Sequence, residues 1–341
     1  MKTPYRSKIV IVTNDCDFHA DHIIENLRSR GVEPIRIHPG SFPLGGTASF
    51  NTFSQDSEGW MSTDDSVVKF GDIKSVWYRR PQPPEFPSTW SPQEKRFARS
   101  ETVHVTNGIF EALDCFWMSR PSRLQLAENK LVQLRQAIKL GVKVPKTLVT
   151  TKPEDLNDFF KLCKGKVIYK TLSGAALGVT RDFTSATSQI EDETRYTKTT
   201  LLDASHLVDH GQEISHAPCL FQEYVEKAYE LRVTIIGDSI FPVKIDSQSQ
   251  EETKIDWRHY DVPMRLSMTS LPNEIAAFCR RFVADAGLTF STMDFVVTPQ
   301  NDFVFLENNP NGQWLWVEKM IPGIGMTEAL LSCLIAGAAA G

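Results

Sequence analysis

Two acids and an amide carry the strongest chemical signal in this chain. They lie in STMDFVVTPQNDFVFLENNPNGQW, Ser291 to Trp314. Two apolar runs flank the polar tetrad Pro299-Gln300-Asn301-Asp302, a pattern that predicts a hairpin. A four-residue loop there pairs Thr298 with Phe303 and sets Asp294 opposite Glu307. Residues two apart on a strand share a face, so Asn309 joins them. Carboxylates facing each other at about 5 Å repel and weaken a hairpin. A divalent cation removes that cost. Magnesium takes carboxylate and amide oxygens and completes its shell with substrate phosphates. The plain alternative is a solvated strand end with two unpaired acids. Both acids sit on otherwise apolar strands, which favours the metal.

The basic candidates come earlier in the chain. Lys170 closes the run Val167-Ile168-Tyr169 and precedes TLSGAALG (171–178). Small residues let a backbone approach phosphate oxygens, whose charge a lysine can meet. A Walker loop is absent, and a lysine at a strand end also has the simpler reading of a snorkelling side chain. Lys130, in Glu128-Asn129-Lys130, is read on spacing alone as part of a solvated helix face. In YELRVTIIGDSIFPVKIDS (229–247), alternation puts Glu230, Arg232 and Thr234 on one face. A three-residue turn, Gly237 to Ser239, sets Arg232 opposite Lys244 and Glu230 opposite Asp246. Like charges so placed call for a bound anion, with Arg258 as a third cation. Diagonal salt bridges, Glu230 to Lys244 and Arg232 to Asp246, are the bland alternative. His206 and His210 are four apart but lack the intervening glutamate of a zinc helix, and no nucleophile elbow is present. Solvated or hydrogen-bonded histidines are the expectation there and for His19 and His22.

These groups need elements to hold them. The chain has 341 residues, 41% of them hydrophobic, enough for two or three domains with real cores. A net charge of −5 gives no nucleic-acid footprint. Six scattered cysteines show neither metal nor redox spacing and point to a reducing, cytoplasmic setting. The apolar tail ALLSCLIAGAAAG is too short for a membrane span. It is expected to form a terminal helix packed on its own domain, and no membrane association is expected. Residues 8–13, 19–30 and 33–38 read as a β-α-β opening. Residues 39–70 read as short strands and loops, 75–81 as a strand ending at proline. A helix is expected over 91–116, with Phe97, Val103, Phe110 and Leu113 in period. A second helix runs from about Ser122 to Gly141, with Leu124, Ala127, Leu131, Leu134 and Ile138 on one stripe. Strands dominate after 228, interrupted by a helix at about 272–286.

The order of these motifs resembles the ATP-grasp superfamily over most of residues 120–312. Within it, VWYRRP, AENKLVQLRQAIKLGVKVPKT, ELRVTIIGDSIFPVKIDSQ, DWRHYD and FLENNPNGQWLWVE look like the graspetide (microviridin-type) peptide macrocyclases. The resemblance implies an α/β (α+β) chain in three parts. These are a pre-ATP-grasp domain over 1–120, a central lid over 121–220 and an antiparallel-sheet catalytic domain over 221–341. It implies ATP and Mg2+. Lys130 and Lys170 would hold phosphates; Gln222, Glu223, Tyr224 and Val225 would form the connector around adenine; Glu230 would take a ribose hydroxyl. Asp294, Glu307 and Asn309 would ligate magnesium. Arg232, Lys244 and Arg258 would steady the γ-phosphate and an acyl phosphate, and Asp246 beside them is a candidate general base.

The implied reaction phosphorylates an Asp or Glu side chain of a ribosomal precursor peptide. A Ser or Thr hydroxyl or a Lys amine of the same peptide then closes the ring. A leader segment of that peptide binds elsewhere, with Glu191-Asp192-Glu193 a candidate contact, and a homo-oligomer such as a dimer is expected. Residues 39–70 match nothing in the pattern. Two alternatives stay open: another carboxylate–amine ligase, adding glutamate to a protein or joining amino acids, and a non-catalytic ATP-binding regulator.

Overall fold

The chain opens on β1 (Lys8–Val12), where Ile9 to Val12 are all buried, as a strand covered on both faces requires. The computed structural model describes residues 8–52, 59–63, 67–172, 176–177, 195–196, 199–258 and 262–340. Asp17 caps α1 (Phe18–Ser29) by accepting from the His19 and Ala20 N–H groups. β2 (Ile35–Ile37) returns parallel to β1. A separate antiparallel sheet follows, made of β3 (Gly46–Phe50), β4 (Gly59–Thr63) and β5 (Val67–Lys69). It fills the stretch that matched no pattern. β6 (Ile73–Tyr78) then pairs parallel with β1, and β7 (Phe116–Met118) parallel with β6, in the order β2-β1-β6-β7.

Two helix expectations need correction. α2 (Pro92–Ala112) starts on a Ser91–Glu94 capping box, but Phe97 is 69% exposed; the buried face is Thr102, Thr106, Ile109 and Phe110. The single helix expected from Ser122 is two, α3 (Pro121–Ala127) and α4 (Lys130–Lys139). Asn129 breaks them by capping α4, accepting from the Leu131 and Val132 N–H groups. The restart rotates the buried stripe. Gln133, Leu134 and Ala137 face inward, while Leu131 and Ile138 are exposed.

A four-stranded antiparallel sheet follows. Its strands are β8 (Thr147–Thr150), β9 (Val167–Lys170), β12 (Thr200–Leu202) and β13 (Cys219–Glu223), in the order β12-β9-β13-β8. α5 (Pro153–Leu162) covers it with Leu156 and Phe159. β10 (Ala176–Leu177) pairs antiparallel with β11 (Arg195–Tyr196), and α6 (Ala204–His210) precedes β13.

The last sheet is antiparallel, in the order β16-β15-β14-β17-β18. Its strands are β14 (Tyr229–Ile236), β15 (Ser239–Ile245), β16 (Leu266–Met268), β17 (Phe290–Val297) and β18 (Phe303–Asn309). One face packs on α7 (Asn273–Asp285), where Phe278 meets Phe295 and Phe305 edge-on. The other face changes along β14, from Glu230 and Arg232 at one end to Ile236 at the other. The apolar end meets α8 (Leu315–Met320) and α9 (Met326–Ala340). α9 does not stay on its own sheet, as expected from the tail. Its Leu330, Leu331 and Leu334 join one core with Ile9, Ile11 and Trp77 of the N-terminal sheet. Gly337 permits the approach, since a Cβ there would lie 2.3 Å from the Phe116 ring. Among the described residues no helix is long and apolar enough to cross a membrane.

Candidate active site

The charged end of β14 faces a cleft toward the central sheet. Asp294 pairs with Glu307 across β17 and β18, and Thr292 with Asn309. The route to that register differs from the expected one. Val297, not Thr298, pairs with Phe303, so the loop holds five residues, 298–302. A β-bulge at Leu306 then shifts the register by one and restores Asp294 opposite Glu307. The longer loop and the bulge cancel. Asn309 Nδ2 donates to Asp294 Oδ2 at 3.1 Å, so the three groups do converge.

Four cations surround the acids. Arg232 Nη1 donates to Asp294 Oδ1 at 2.8 Å, with both side chains buried. Arg258 Nη2 meets Glu307 Oε1 at 2.5 Å and stands 3.7 Å from Asp294. Lys130, first residue of α4, donates to the Thr171 carbonyl at 3.0 Å and lies 3.4 Å from Glu307. Lys170 lines the cleft. Burial alone would raise the Glu307 carboxyl, but Arg258, Lys130 and Lys170 outweigh it and hold it well below the usual carboxylate range. Asp294 goes the other way. Burial raises it, Arg232 opposes, and the Glu307 charge adds to the rise. Burial lowers Lys170, which Glu307 counters while Arg258 and Lys130 add to it. Burial and the neighbouring charges thus push the two facing carboxyls in opposite directions.

The facing strand corrects two assignments. Gly237-Asp238 forms a two-residue turn, with Gly237 at φ 55°, so Ile236 pairs with Ser239. Arg232 therefore faces Val243, and Lys244 faces Leu231 on the opposite side of the sheet. There Lys244 Nζ sits 4.5 Å from the Tyr229 ring centroid. Asp246 lies past the end of β15, where the Ser247 N–H donates to the Ile245 carbonyl at 2.9 Å, and Glu230 faces Ile245. Neither Lys244 nor Asp246 is among the residues that line the cleft, and the diagonal bridges weighed as the bland alternative do not form. Glu230 instead takes Lys227 Nζ at 2.5 Å, a buried pair that strand period could not reveal because Lys227 precedes the strand. Burial raises the Glu230 carboxyl against the pull of Lys227.

The connector residues Gln222, Glu223, Tyr224 and Val225 also line the cleft, beside apolar Ile168, Val296 and the bulged Leu306. Gln222 Nε2 donates to Thr147 Oγ1 at 3.1 Å, and Glu223 accepts from the Lys146 N–H at 2.9 Å. Beyond β18 the chain turns through Asn-Pro-Asn-Gly. Arg79 donates to the Asn311 carbonyl and Arg232 to that of Gln313. Gly312 is required there, because a Cβ would come within 2.6 Å of Thr292 Oγ1. Trp314 is fully buried against His19, with ring centroids 5.5 Å apart. His206 and His210 pair with Asp203 and Glu213, the bland reading.

Among the described residues no three His, Cys, Asp or Glu side chains gather as a metal site. The convergent donors are two carboxylates and an amide. That is too few to enclose a cation, yet it fits magnesium, which keeps waters and takes phosphate oxygens. Glu191-Asp192-Glu193, proposed as a leader contact, lies outside the described residues.

Residues 8–125 match the family described as the MvdD pre-ATP grasp domain. No curated protein matches the chain. Macrocyclase MdnC from Microcystis aeruginosa MRC, solved bound with precursor peptide MdnA, superposes with a TM-score of 0.82 at 25% identity. The likeness covers 96% of this chain and 99% of that one. A RiPP-associated ATP-grasp ligase from Chryseobacterium gregarium, in complex with ADP and a leader and core peptide, gives 0.84 at 25% identity, covering 96% of each. ATP-grasp ligase PsnB, complexed with minimal precursor, Mg and ADP, gives 0.75 at 23% identity over 99% of each.

Proposed function

We propose that this chain, whose ATP-grasp fold is that of the RiPP macrocyclases, is an ATP-dependent ligase that closes rings in a ribosomal precursor peptide. The observation that carries the reading is the convergence of Asp294, Glu307 and Asn309 with four cations in the cleft that residues 222–225 also line. A carboxylate is a poor electrophile at neutral pH, and phosphorylation gives it a leaving group.

In this reading Lys130 and Lys170 meet the ATP phosphates, and Gln222 to Val225 with Ile168 and Leu306 enclose the base. Glu230, fixed by Lys227, receives a ribose hydroxyl. Asp294, Glu307 and Asn309 would hold magnesium, whose chemistry there would be to offset the charge of the transferring phosphoryl group. Arg232 and Arg258 donate to the oxygens on which that charge collects. Lys244 and Asp246 drop out, so no general base is assigned.

The peptide's Asp or Glu carboxylate is phosphorylated, and a Ser or Thr hydroxyl or a Lys amine of the same peptide displaces phosphate. The test is incubation of a candidate precursor, rich in Ser, Thr, Lys, Asp and Glu, with the chain, ATP and magnesium. Loss of one water per ring by mass spectrometry, with stoichiometric ADP, is expected. ADP formed only when a separate amine is supplied, with that amine added to the product, would instead make the chain an intermolecular carboxylate–amine ligase.

A further inference from the structure

Arg232 and Arg258 bring two like charges to the same pair of acids. Asp294 and Glu307 attract both, but attraction alone does not orient a planar guanidinium. One indole touches each of them. The Trp257 ring centroid lies 5.8 Å from the guanidinium carbon of Arg232 and 5.8 Å from that of Arg258. Trp316, from α8, stacks on Trp257 at 5.4 Å with planes inclined by 27°, and its centroid is 5.9 Å from the Arg232 carbon. A guanidinium against an indole face is attracted by the ring quadrupole, and more strongly where water is excluded. Trp257 is 6% exposed and Arg232 likewise 6%. Among the described residues the Arg232 Nε–H is buried without a hydrogen-bond partner, so the aromatic faces act on a group that hydrogen bonds only partly satisfy.

The backbone around Trp257 is fixed from several sides. Lys227 Nζ donates to the Ile255 carbonyl at 3.0 Å. Asp256 accepts from Thr199 Oγ1 at 3.0 Å, a tie to the start of β12. Arg258 reaches Glu307. Residues 255–258 thus bind, in turn, Lys227, Thr199 next to β12, Trp316 of α8 and the acids.

We propose that Trp257 is a positioning residue for both site arginines, backed by Trp316, and that it sets how the cleft grips the terminal phosphate of a nucleoside triphosphate. This rests on the nucleotide reading of the cleft. The property that matters is the π face, not the volume. The experiment compares Trp257→Phe with Trp257→Leu by calorimetry, using magnesium with ADP and with a non-hydrolysable ATP analogue. The wild-type chain is expected to prefer the triphosphate. Leu at 257 is expected to lower that preference about tenfold and to change ADP affinity much less, because Gln222 to Val225 and Glu230, which the proposed function assigns to base and ribose, keep their side chains. Phe at 257 keeps the preference within about threefold. Equal loss in both variants, an unchanged preference in the Leu variant, or a collapse of its ADP affinity would overturn the inference. A wild-type chain that binds neither nucleotide removes the parent reading, and the inference with it. Failure of the Phe-against-Leu contrast touches Trp257 alone.

Discussion

Arg79 and Arg232 are both buried, and they grip one turn from two sides, through the carbonyls of Asn311 and Gln313. Their surroundings differ. Arg232 has a carboxylate at 2.8 Å and two indole faces, within an ion network that opens on the cleft. Arg79 has Asp17 only at 4.0 Å, and its Nε and Nη2 are buried without hydrogen-bond partners among the described residues. Burial lowers the Arg79 guanidinium to about 9, with Arg80 adding and Asp17 opposing. Beside it His19 is lowered to about 3, by burial first and then by Arg79. The contrast separates two uses of a buried cation. One is compensated by Asp294 and, in the proposed function, faces the transferring phosphoryl group; the other is a strut joining the N-terminal sheet to the turn after β18.

That contrast can be broken by substitution, and the effects should rank. Arg232→Lys keeps the charge but loses the fork and the stacking face. Turnover should fall by about a hundredfold or more, with thermal melting near that of the wild type. A folded Arg232→Lys chain with wild-type kcat would end the distinction. Arg79→Met should invert the pattern. Loss of the Asn311 bond should cost about 1–3 kcal/mol in denaturant unfolding, while kcat falls by no more than about tenfold. If Arg79→Met abolished turnover without altering stability, the strut would be part of the chemistry.

His19 sharpens the same comparison through pH. Its folded value, about 3, lies below the ordinary 6.5, so the unfolded chain binds the extra proton first. Stability is therefore full above about pH 6.5 and is lost as pH falls toward 3, at up to about 1.4 kcal/mol per pH unit. His19→Leu should flatten the melting profile between pH 6.5 and 4; an unchanged slope would assign the acid sensitivity elsewhere. The smallest effect belongs to an exposed pair. Lys146 meets Glu223 at 2.5 Å with its side chain 54% exposed. Lys146→Ala should change unfolding by less than about 1 kcal/mol, and less still at high salt.

Much of the site was legible because its carriers obey short periods. Asp294, Glu307 and Asn309 follow strand alternation, and so do Glu230 and Arg232. What failed was register across turns. Gly237 supports a tighter turn than expected, and one residue of slip moved Lys244 to the far face. The hairpin of β17 and β18 came out right only because the bulge at Leu306 offset the longer loop, and a bulge leaves no periodic trace. Lys227, Trp257 and Trp316 act through contacts between separate elements, which spacing does not encode. The break at Asn129 was visible as a capping residue, but the helical period on either side concealed it. α9 looked self-contained because an all-apolar helix does not say which sheet it will cover.

A cation shared by Asp294, Glu307 and Asn309 is the central element of the proposed site. Manganese can replace magnesium in crystals grown with ADP, and its anomalous signal marks its place without reference to activity. A single strong peak within coordination distance of the Asp294 and Glu307 carboxylates, lost in Glu307→Gln, is the expected result. A nucleotide bound in the cleft with no manganese at those carboxylates, and Arg258 still seated on Glu307, would contradict it.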